Sequence, residues 1–354
     1  MLDIKVLYER LEASANDEER MHIKFDIATF FLNTNEQRTL EYAEEVNELA
    51  ERLDSNLGRC YYHSTLGRVQ YRKSSFDDAA KSFQRALELS LLTDDLLTQA
   101  ICYDSLVVVF GPQNRYDLAL DNSQKALTIY NQLTGQAAQW QKATCYNNIG
   151  IAQKNLHELD EAEESYLKGL AIANESENER IGYIIINNLA QLKIAQEKYA
   201  EGMAYATTAL EGFRKLNHKV GETYAMVHLA HCQLGVGDYA VALQSYIGTA
   251  KVLKDIDNKP VEIQLYKGMG NVYLKLEAYN EALHNYKKAL AVALAIADVR
   301  DLCEVYLCIG KAYLGIYDIV ASHDALNKGL EIATREGFKH LLPDFEDALA
   351  TQKV

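Results

Sequence analysis

The chain has 354 residues, and its hydrophobic fraction of 48% with 24% charged residues is typical of a folded soluble protein and unlike a disordered one. Its formal net charge of −14 repels phosphate backbones, which argues against DNA or RNA as the main partner, although a local basic stripe in a groove stays open. The sequence has no run of 18 apolar residues and no signal-peptide pattern at its start, so we expect no membrane insertion.

Helix breakers are scarce along the whole chain. Its three prolines are Pro112, Pro260 and Pro343, and because proline interrupts helices this scarcity favours an all-α fold. The six cysteines are scattered without a Cys-x-x-Cys pair. Such cysteines are typical of small buried residues, and we expect a reduced, cytoplasmic compartment.

The N-terminal segment, residues 1–57, is predicted to hold an end helix and a degenerate repeat. Residues 3–14 have the pattern of the end helix. Residues 18–56 fit a pair of helices, with Ala43 and Ala50 at small positions of the second helix. An end helix covers the apolar face that a helical array leaves at its terminus.

One pattern then recurs seven times over residues 58–335. The same register position is occupied by Leu87, Leu127, Leu170, Leu210, Ala250, Leu290 and Leu330. The spacing is 40 residues, except for 43 between Leu127 and Leu170. The three extra residues are expected in a longer loop around Thr134 to Trp140. The predicted units are about 58–97, 98–140, 141–180, 181–220, 221–260, 261–300 and 301–335.

Each unit is predicted to form two helices that face each other through small residues. In the first helix the recurring small residues are Gly67, Gly150, Ala190, Ala230, Gly270 and Gly310. A glycine inside a helix costs roughly 1 kcal/mol relative to alanine, so its recurrence needs a reason. The second helix alternates small with bulky residues such as Phe83, Tyr166 and Tyr286, which lets two antiparallel helices approach closely.

The C-terminal segment, residues 336–354, is predicted to form a capping helix that starts near Pro343, followed by a tail. A homo-oligomer that forms through contacts between the end helices is also compatible with the sequence. The chain as a whole is therefore predicted to be an all-α array of antiparallel helix pairs, with seven clear repeats and one degenerate repeat.

The register of small residues resembles the tetratricopeptide repeat in its longer, 40-residue variety, and Gly270-Asn-Val-Tyr273 followed by Tyr279-Asn-Glu-Ala282 is close to that consensus. This variety occurs in kinesin light chains, spindle-orientation adaptors and bacterial peptide-sensing regulators. The resemblance covers roughly residues 58–335 and implies a right-handed superhelical solenoid. The first helix of each unit would line its concave groove, and a partner protein or peptide segment would be captured there.

Carried over position by position, the resemblance predicts a set of ligand-binding groove residues. They are Arg68, Arg72, Asn147, Asn148, Asn187, Asn188, Gln191, His231, Lys267, Asn271 and Lys311. Consecutive units thus carry an asparagine pair at one place, and amides with both a donor and an acceptor suit an extended peptide backbone. The alternative is that one asparagine of each pair bonds a neighbouring helix, and that the two arginines are simply solvated.

Neither catalysis nor a metal or cofactor is predicted. His228 and His231 are three residues apart on one helix, but no third ligand stands at a suitable spacing, which favours packing over a metal site. The sequence has no Gly-rich phosphate loop and no Gly-x-Ser-x-Gly elbow. No three adjacent units supply the lysine, asparagine and arginine set with which some tetratricopeptide arrays hold a C-terminal carboxylate.

Two functional hypotheses follow. The first is a non-catalytic scaffold that binds a protein or peptide segment. The second is a ligand- or peptide-sensing regulatory domain of a bacterial signalling system. In that case the chain could also be the sensory part of a longer signalling enzyme, such as a cyclase or kinase.

Overall fold

Short polar residues cap the starts of many helices. In the computed structural model, which describes residues 3–351, the side chains of Asp95, Asn258 and Asp298 accept hydrogen bonds from backbone N–H groups in the first turn of the helix that follows each of them. Such caps satisfy N–H groups that a helix leaves unpaired at its start.

The secondary structure of residues 3–351 is entirely helical, so the predicted all-α class is confirmed. None of these helices is long and apolar enough to cross a lipid bilayer. The helices are α1 (Ile4–Ala13), α2 (Asp17–Phe31), α3 (Glu36–Arg52), α4 (Asn56–Arg72), α5 (Phe76–Ser90), α6 (Leu96–Phe110), α7 (Tyr116–Tyr130), α8 (Gln136–Asn155), α9 (Leu159–Glu175), α10 (Glu179–Ala195), α11 (Tyr199–Lys215), α12 (Lys219–Gly235), α13 (Tyr239–Leu253), α14 (Lys259–Lys275), α15 (Tyr279–Ile296), α16 (Val299–Gly315), α17 (Ile319–Glu336), a 3-10 helix (Lys339–Leu341) and α18 (Leu342–Ala350).

The helices are grouped into two compact units, Met1–Glu177 and Asn178–Val354. In the first unit, α2 to α9 form four successive hairpins, and α1 packs on the first of them. In the second unit, α10 to α17 form four more, and α18 packs on the last. First helices of neighbouring hairpins also touch, as α4 touches α6 and α12 touches α14. We call the surface formed by these first helices within each unit its first-helix face.

Glycines make the close contact between the two helices of a hairpin possible. A Cβ atom added to Gly150 would lie 2.6 Å from the ring of Tyr166, and one added to Gly270 would lie 2.4 Å from the ring of Tyr286. Both tyrosines are fully buried. The prediction that the recurring glycines allow a partner helix to approach is confirmed.

The turn inside seven of the eight hairpins, all but that between α2 and α3, uses a left-handed residue at the end of the first helix. These residues are Ser74, Asn114, His157, Glu197, Gly237, Glu277 and Tyr317. The next residue donates its backbone N–H to the carbonyl five positions back, as Lys198 does to Lys193 at 2.8 Å. This is a Schellman motif, which satisfies carbonyls at the helix end and normally favours glycine. A side chain in the left-handed region costs about 1 kcal/mol, and six of these seven turns carry one.

Replacing Tyr317 by glycine is therefore expected to stabilise the chain by up to about 1 kcal/mol, because the tyrosine is 88% exposed and its φ is 61°. Urea unfolding followed by circular dichroism measures the change. Tyr317→Ala is the matched control, since it removes the same ring but keeps a side chain at positive φ. Equal gains in both variants would show that the ring, and not the backbone, was responsible.

The predicted loop around Thr134 to Trp140 is wrong. Only Thr134 and Gly135 of that stretch lie outside a helix, and the extra residues lengthen α8 to 20 residues. Gly135 has φ 98°, which lets the chain turn sharply before the helix begins. The indole N–H of Trp140 donates to the carbonyl of Ser176 at 3.1 Å, so tertiary contact holds the added helical turn.

Candidate functional site

All eleven residues predicted to bind a ligand lie on first helices. The first unit contains Arg68 and Arg72 on α4 with Asn147 and Asn148 on α8. The second unit contains Asn187, Asn188 and Gln191 on α10, His231 on α12, Lys267 and Asn271 on α14, and Lys311 on α16. Their environments differ widely, which divides them into packed and accessible groups.

The two asparagine pairs have the same burial pattern. Asn147 and Asn187 are buried, with 5% and 7% of their surface exposed, whereas Asn148 and Asn188 are partly exposed. The Oδ1 atom of Asn187 lies 3.0 Å from Nδ1 of His228 on the neighbouring first helix. Asn187 therefore links α10 to α12, which is the alternative that the sequence left open for one member of a pair. Asn148 and Asn188 are the more accessible members of the two pairs.

Two other predicted residues of the second unit make internal hydrogen bonds. Asn271 Oδ1 accepts a hydrogen bond from the hydroxyl of Tyr286 at 2.7 Å. His231 Nδ1 lies 2.9 Å from the carbonyl of Val227, and its ring stands edge-on to Tyr246. Burial lowers the pKa of His231 to about 4, so this imidazole is neutral at physiological pH. Within residues 3–351, no three potential metal-ligating side chains lie together.

Lys267 belongs to a buried ion cluster. Its Nζ atom lies 3.1 Å from Oδ1 of Asp301 and 2.5 Å from Oε2 of Glu304, both on α16. Burial alone would lower the pKa of this ammonium, but the two carboxylates outweigh burial and raise it. Arg300 adds a second cation at 3.7 Å from Glu304. The ammonium of Lys267 thus joins α14 to α16, and because this lysine is buried it belongs to the packed group.

The three remaining predicted cations differ in their burial and in their partners. Lys311 is exposed on α16. Arg72 is exposed and donates to the side-chain oxygen of Asn33, in the turn between α2 and α3. Arg68 is partly buried, burial lowers the pKa of its guanidinium, and it makes no hydrogen bond or ion pair with any residue between 3 and 351. Of the predicted cations, Arg68 is the one that is partly buried and has no opposite charge beside it among the described residues.

One residue of this face was missed by the sequence reasoning. Asp104 on α6 stands 43 positions before Asn147, at the register of the asparagine pairs. Its Oδ2 accepts a hydrogen bond from Tyr130 at 2.7 Å, and the thiol of Cys145 lies 3.7 Å from Oδ1. Burial raises the pKa of Asp104 to about 6, against the opposing effect of these two donors. Following the register back into the repeat at residues 98–140, which has no asparagine at this position, would have found this carboxylate.

Comparison with known proteins identifies the repeat and the fold. Residues 143–176 match the family model described as Tetratricopeptide repeat. A segment of the chain, 85 residues long, is 31% identical to the regulatory protein AfsR of Streptomyces coelicolor, and it spans 24% of this chain and 9% of that protein. The chain therefore contains a tetratricopeptide repeat, as its resemblance predicts, and it matches only a small part of this curated relative.

Two solved structures show the same fold over most of the chain. The Rap conjugation gene regulator of plasmid pLS20, in complex with the Phr* peptide, has a TM-score of 0.68 and 13% identity, and the likeness covers 94% of this chain and 93% of that one. Aspartyl phosphate phosphatase F from Bacillus subtilis has a TM-score of 0.66 and 14% identity, with coverage of 84% and 74%. At such identities the likeness establishes the helical-repeat fold and leaves function to the site.

Proposed function

We propose that this protein binds an extended peptide or protein segment along its first-helix faces and carries out no reaction on it. The observation that carries this proposal is the registered asparagine pair of α8 and α10. In each pair one amide is packed among the helices, and its neighbour, Asn148 or Asn188, stays partly exposed. An amide that offers both a donor and an acceptor, held on a rigid helix, suits the polar groups of an extended backbone.

Two further observations support peptide binding over a purely structural role. The buried member of the second pair, Asn187, is bonded across to His228, so the helix that presents Asn188 is held in place before any ligand arrives. A regulator of the same fold was solved with a peptide bound. Preorganised polar groups lower the ordering cost of binding.

The test is selection of random nine-residue peptides on the full chain, followed by calorimetry with a selected peptide. Asn148→Ala and Asn188→Ala are expected to weaken the affinity of peptides bound on their own faces by about tenfold, because each change removes hydrogen bonds worth about 1 kcal/mol. Stability should change little, since both side chains are partly exposed.

Asn327→Ala is the matched control, because Asn327 is an exposed asparagine on a second helix, α17. The proposal is wrong if the library yields no binder, or if the three alanine variants behave alike. The non-catalytic part is tested separately. Release of phosphate from acetyl phosphate above the background rate would contradict it.

A second candidate function is ligand sensing within a larger regulatory system. It is favoured by the match to part of the much longer regulatory protein AfsR. Sensing requires that ligand binding changes the conformation of the chain, because an effector acts only through a difference between two states. Small-angle scattering of the chain, free and saturated with a selected peptide, separates the candidates, since a simple scaffold predicts the same profile in both.

A further inference from the structure

Two charges on the first-helix face of the first unit lack an opposite charge. Arg68 lies on α4, Asp104 lies on α6, and these helices are in contact. Both side chains are partly buried, and burial shifts the pKa of each towards its neutral form. Among residues 3–351 Arg68 has no hydrogen-bond or ion-pair partner, and Asp104 has only the neutral donors Tyr130 and Cys145.

The buried charges of the second unit have opposite charges close to them. Lys193 lies 3.2 Å from Glu201, Glu222 lies 2.9 Å from Arg214, and Lys267 lies 3.1 Å from Asp301. Desolvating a charge is costly unless an opposite charge compensates for it, and in these three places the fold supplies the compensation. At Arg68 and Asp104 of the first unit it does not, although the hairpin architecture is the same. An uncompensated charge kept on a binding face is a candidate for ligand recognition.

The surroundings of the two charges suit a peptide in extended form. Val108, 40 residues after Arg68 and therefore at the same register on α6, is 49% exposed. It lies one helical turn beyond Asp104 and offers an apolar contact beside both charges. The partly exposed amide of Asn148 follows on α8, whose Cys145 reaches Asp104. The face thus offers a cation, an apolar side chain, an anion and an amide on three adjacent hairpins.

The spacing between the two charges follows from helix geometry. Packed helices lie about 8–10 Å apart. Asp104 precedes the register position of Arg68 by four residues, which adds about 6 Å along the helix axis. The two positions are therefore roughly 11 Å apart. An extended chain covers about 3.3 Å per residue, so this distance corresponds to three or four residues.

We propose that the first unit selects peptides that carry one acidic and one basic side chain, three or four residues apart. Arg68 binds the acidic group with its planar fork of donors, and Asp104 binds the basic group through the carboxylate lone pairs that Tyr130 and Cys145 leave available. This inference rests on the proposed function, because it names the class of ligand for the same face.

The experiment uses the full chain and a library of random nine-residue peptides, selected in parallel on the original protein, Arg68→Gln and Asp104→Asn. We expect the original protein to enrich peptides with both charges at the stated spacing. Arg68→Gln should lose the acidic preference alone, and Asp104→Asn the basic preference alone. With one peptide from the original pool, each variant should bind about 10- to 100-fold more weakly, as is usual when a charged hydrogen-bond partner is removed.

Matched controls separate recognition from charge in general. Arg85→Gln changes an exposed arginine on the second helix α5, and Asp117→Asn changes an exposed aspartate on the second helix α7. Neither should alter the selected pattern. Thermal unfolding of each variant shows that it is folded under the conditions of selection.

The outcomes are distinguishable. Binders without the charge pattern, or a pattern unchanged in both Arg68→Gln and Asp104→Asn, would overturn this inference and leave peptide binding intact. A library that yields no binder at all would overturn the proposed function itself. Loss of both preferences in each single variant would also count against the inference. In that case Arg68 and Asp104 would not each recognise a separate charged group of the peptide.

Discussion

Replacing Lys267 by methionine is expected to destabilise the chain by about 3–5 kcal/mol, the usual cost of removing one partner from a buried ion pair. The change leaves the carboxylates of Asp301 and Glu304 without the ammonium that lies within 3.1 Å of both. Arg300 compensates only in part, because its Nε atom is 3.7 Å from Glu304. Chemical unfolding followed by far-ultraviolet circular dichroism measures the loss.

Two further variants show whether the cause is electrostatic. Lys311→Met removes an exposed lysine from α16 and should change stability by less than about 0.5 kcal/mol. Combining Lys267→Met with Asp301→Asn and Glu304→Gln removes the orphaned negative charges and should recover part of the loss. If Lys267→Met is as mild as Lys311→Met, the cluster does not hold α14 to α16.

Replacing Asp104 by asparagine is expected to stabilise the chain by about 2 kcal/mol at pH 7.5 and to have little effect near pH 4. Burial raises the pKa of this carboxyl from 3.8 to about 6 in the folded chain. Between these values the folded state holds a proton that the unfolded state has lost, so stability falls as pH rises from about 4 to 6 and stays lower above that range. Asparagine carries no charge, and its oxygen still accepts the hydrogen bond from Tyr130.

Unfolding in urea at pH 4 and at pH 7.5 measures this difference. The fluorescence of Trp140, the sole tryptophan of the chain, reports on the unit that contains Asp104. Asp117→Asn, at an exposed position in the first turn of α7, is the control and should not show the same pH dependence. A variant Asp104→Asn that is less stable at pH 7.5 would mean that the hydrogen bonds to the carboxylate outweigh its desolvation.

The expected gain also strengthens the binding test. A substitution that stabilises the fold and weakens binding cannot act through unfolding. Natural proteins commonly keep such destabilising groups where function needs them. At Asp104, a measured gain in stability together with a measured loss of affinity would therefore show that the carboxylate acts in binding.

The sequence by itself determined the helices, their pairing and the repeat. These depend on local patterns, because small residues at a 40-residue register and polar caps at helix starts act within one hairpin. Gly150 and Gly270 show this, since each faces the tyrosine 16 positions later, as the alternation of small and bulky residues predicts. The start of α8 is the exception, since a hydrogen bond from Trp140 to a residue 36 positions away extends it.

Only the tertiary structure decided which polar side chains of the first helices are accessible. The register predicts the face on which a residue lies, but its partners come from another hairpin. Lys267 meets Asp301 34 residues on, and Asn187 meets His228 41 residues on. Whether a side chain reaches such a partner depends on distances between packed helices. The pattern of residues along the sequence does not contain these distances. For the same reason the isolated charges of Arg68 and Asp104 became visible only once the helices were placed side by side.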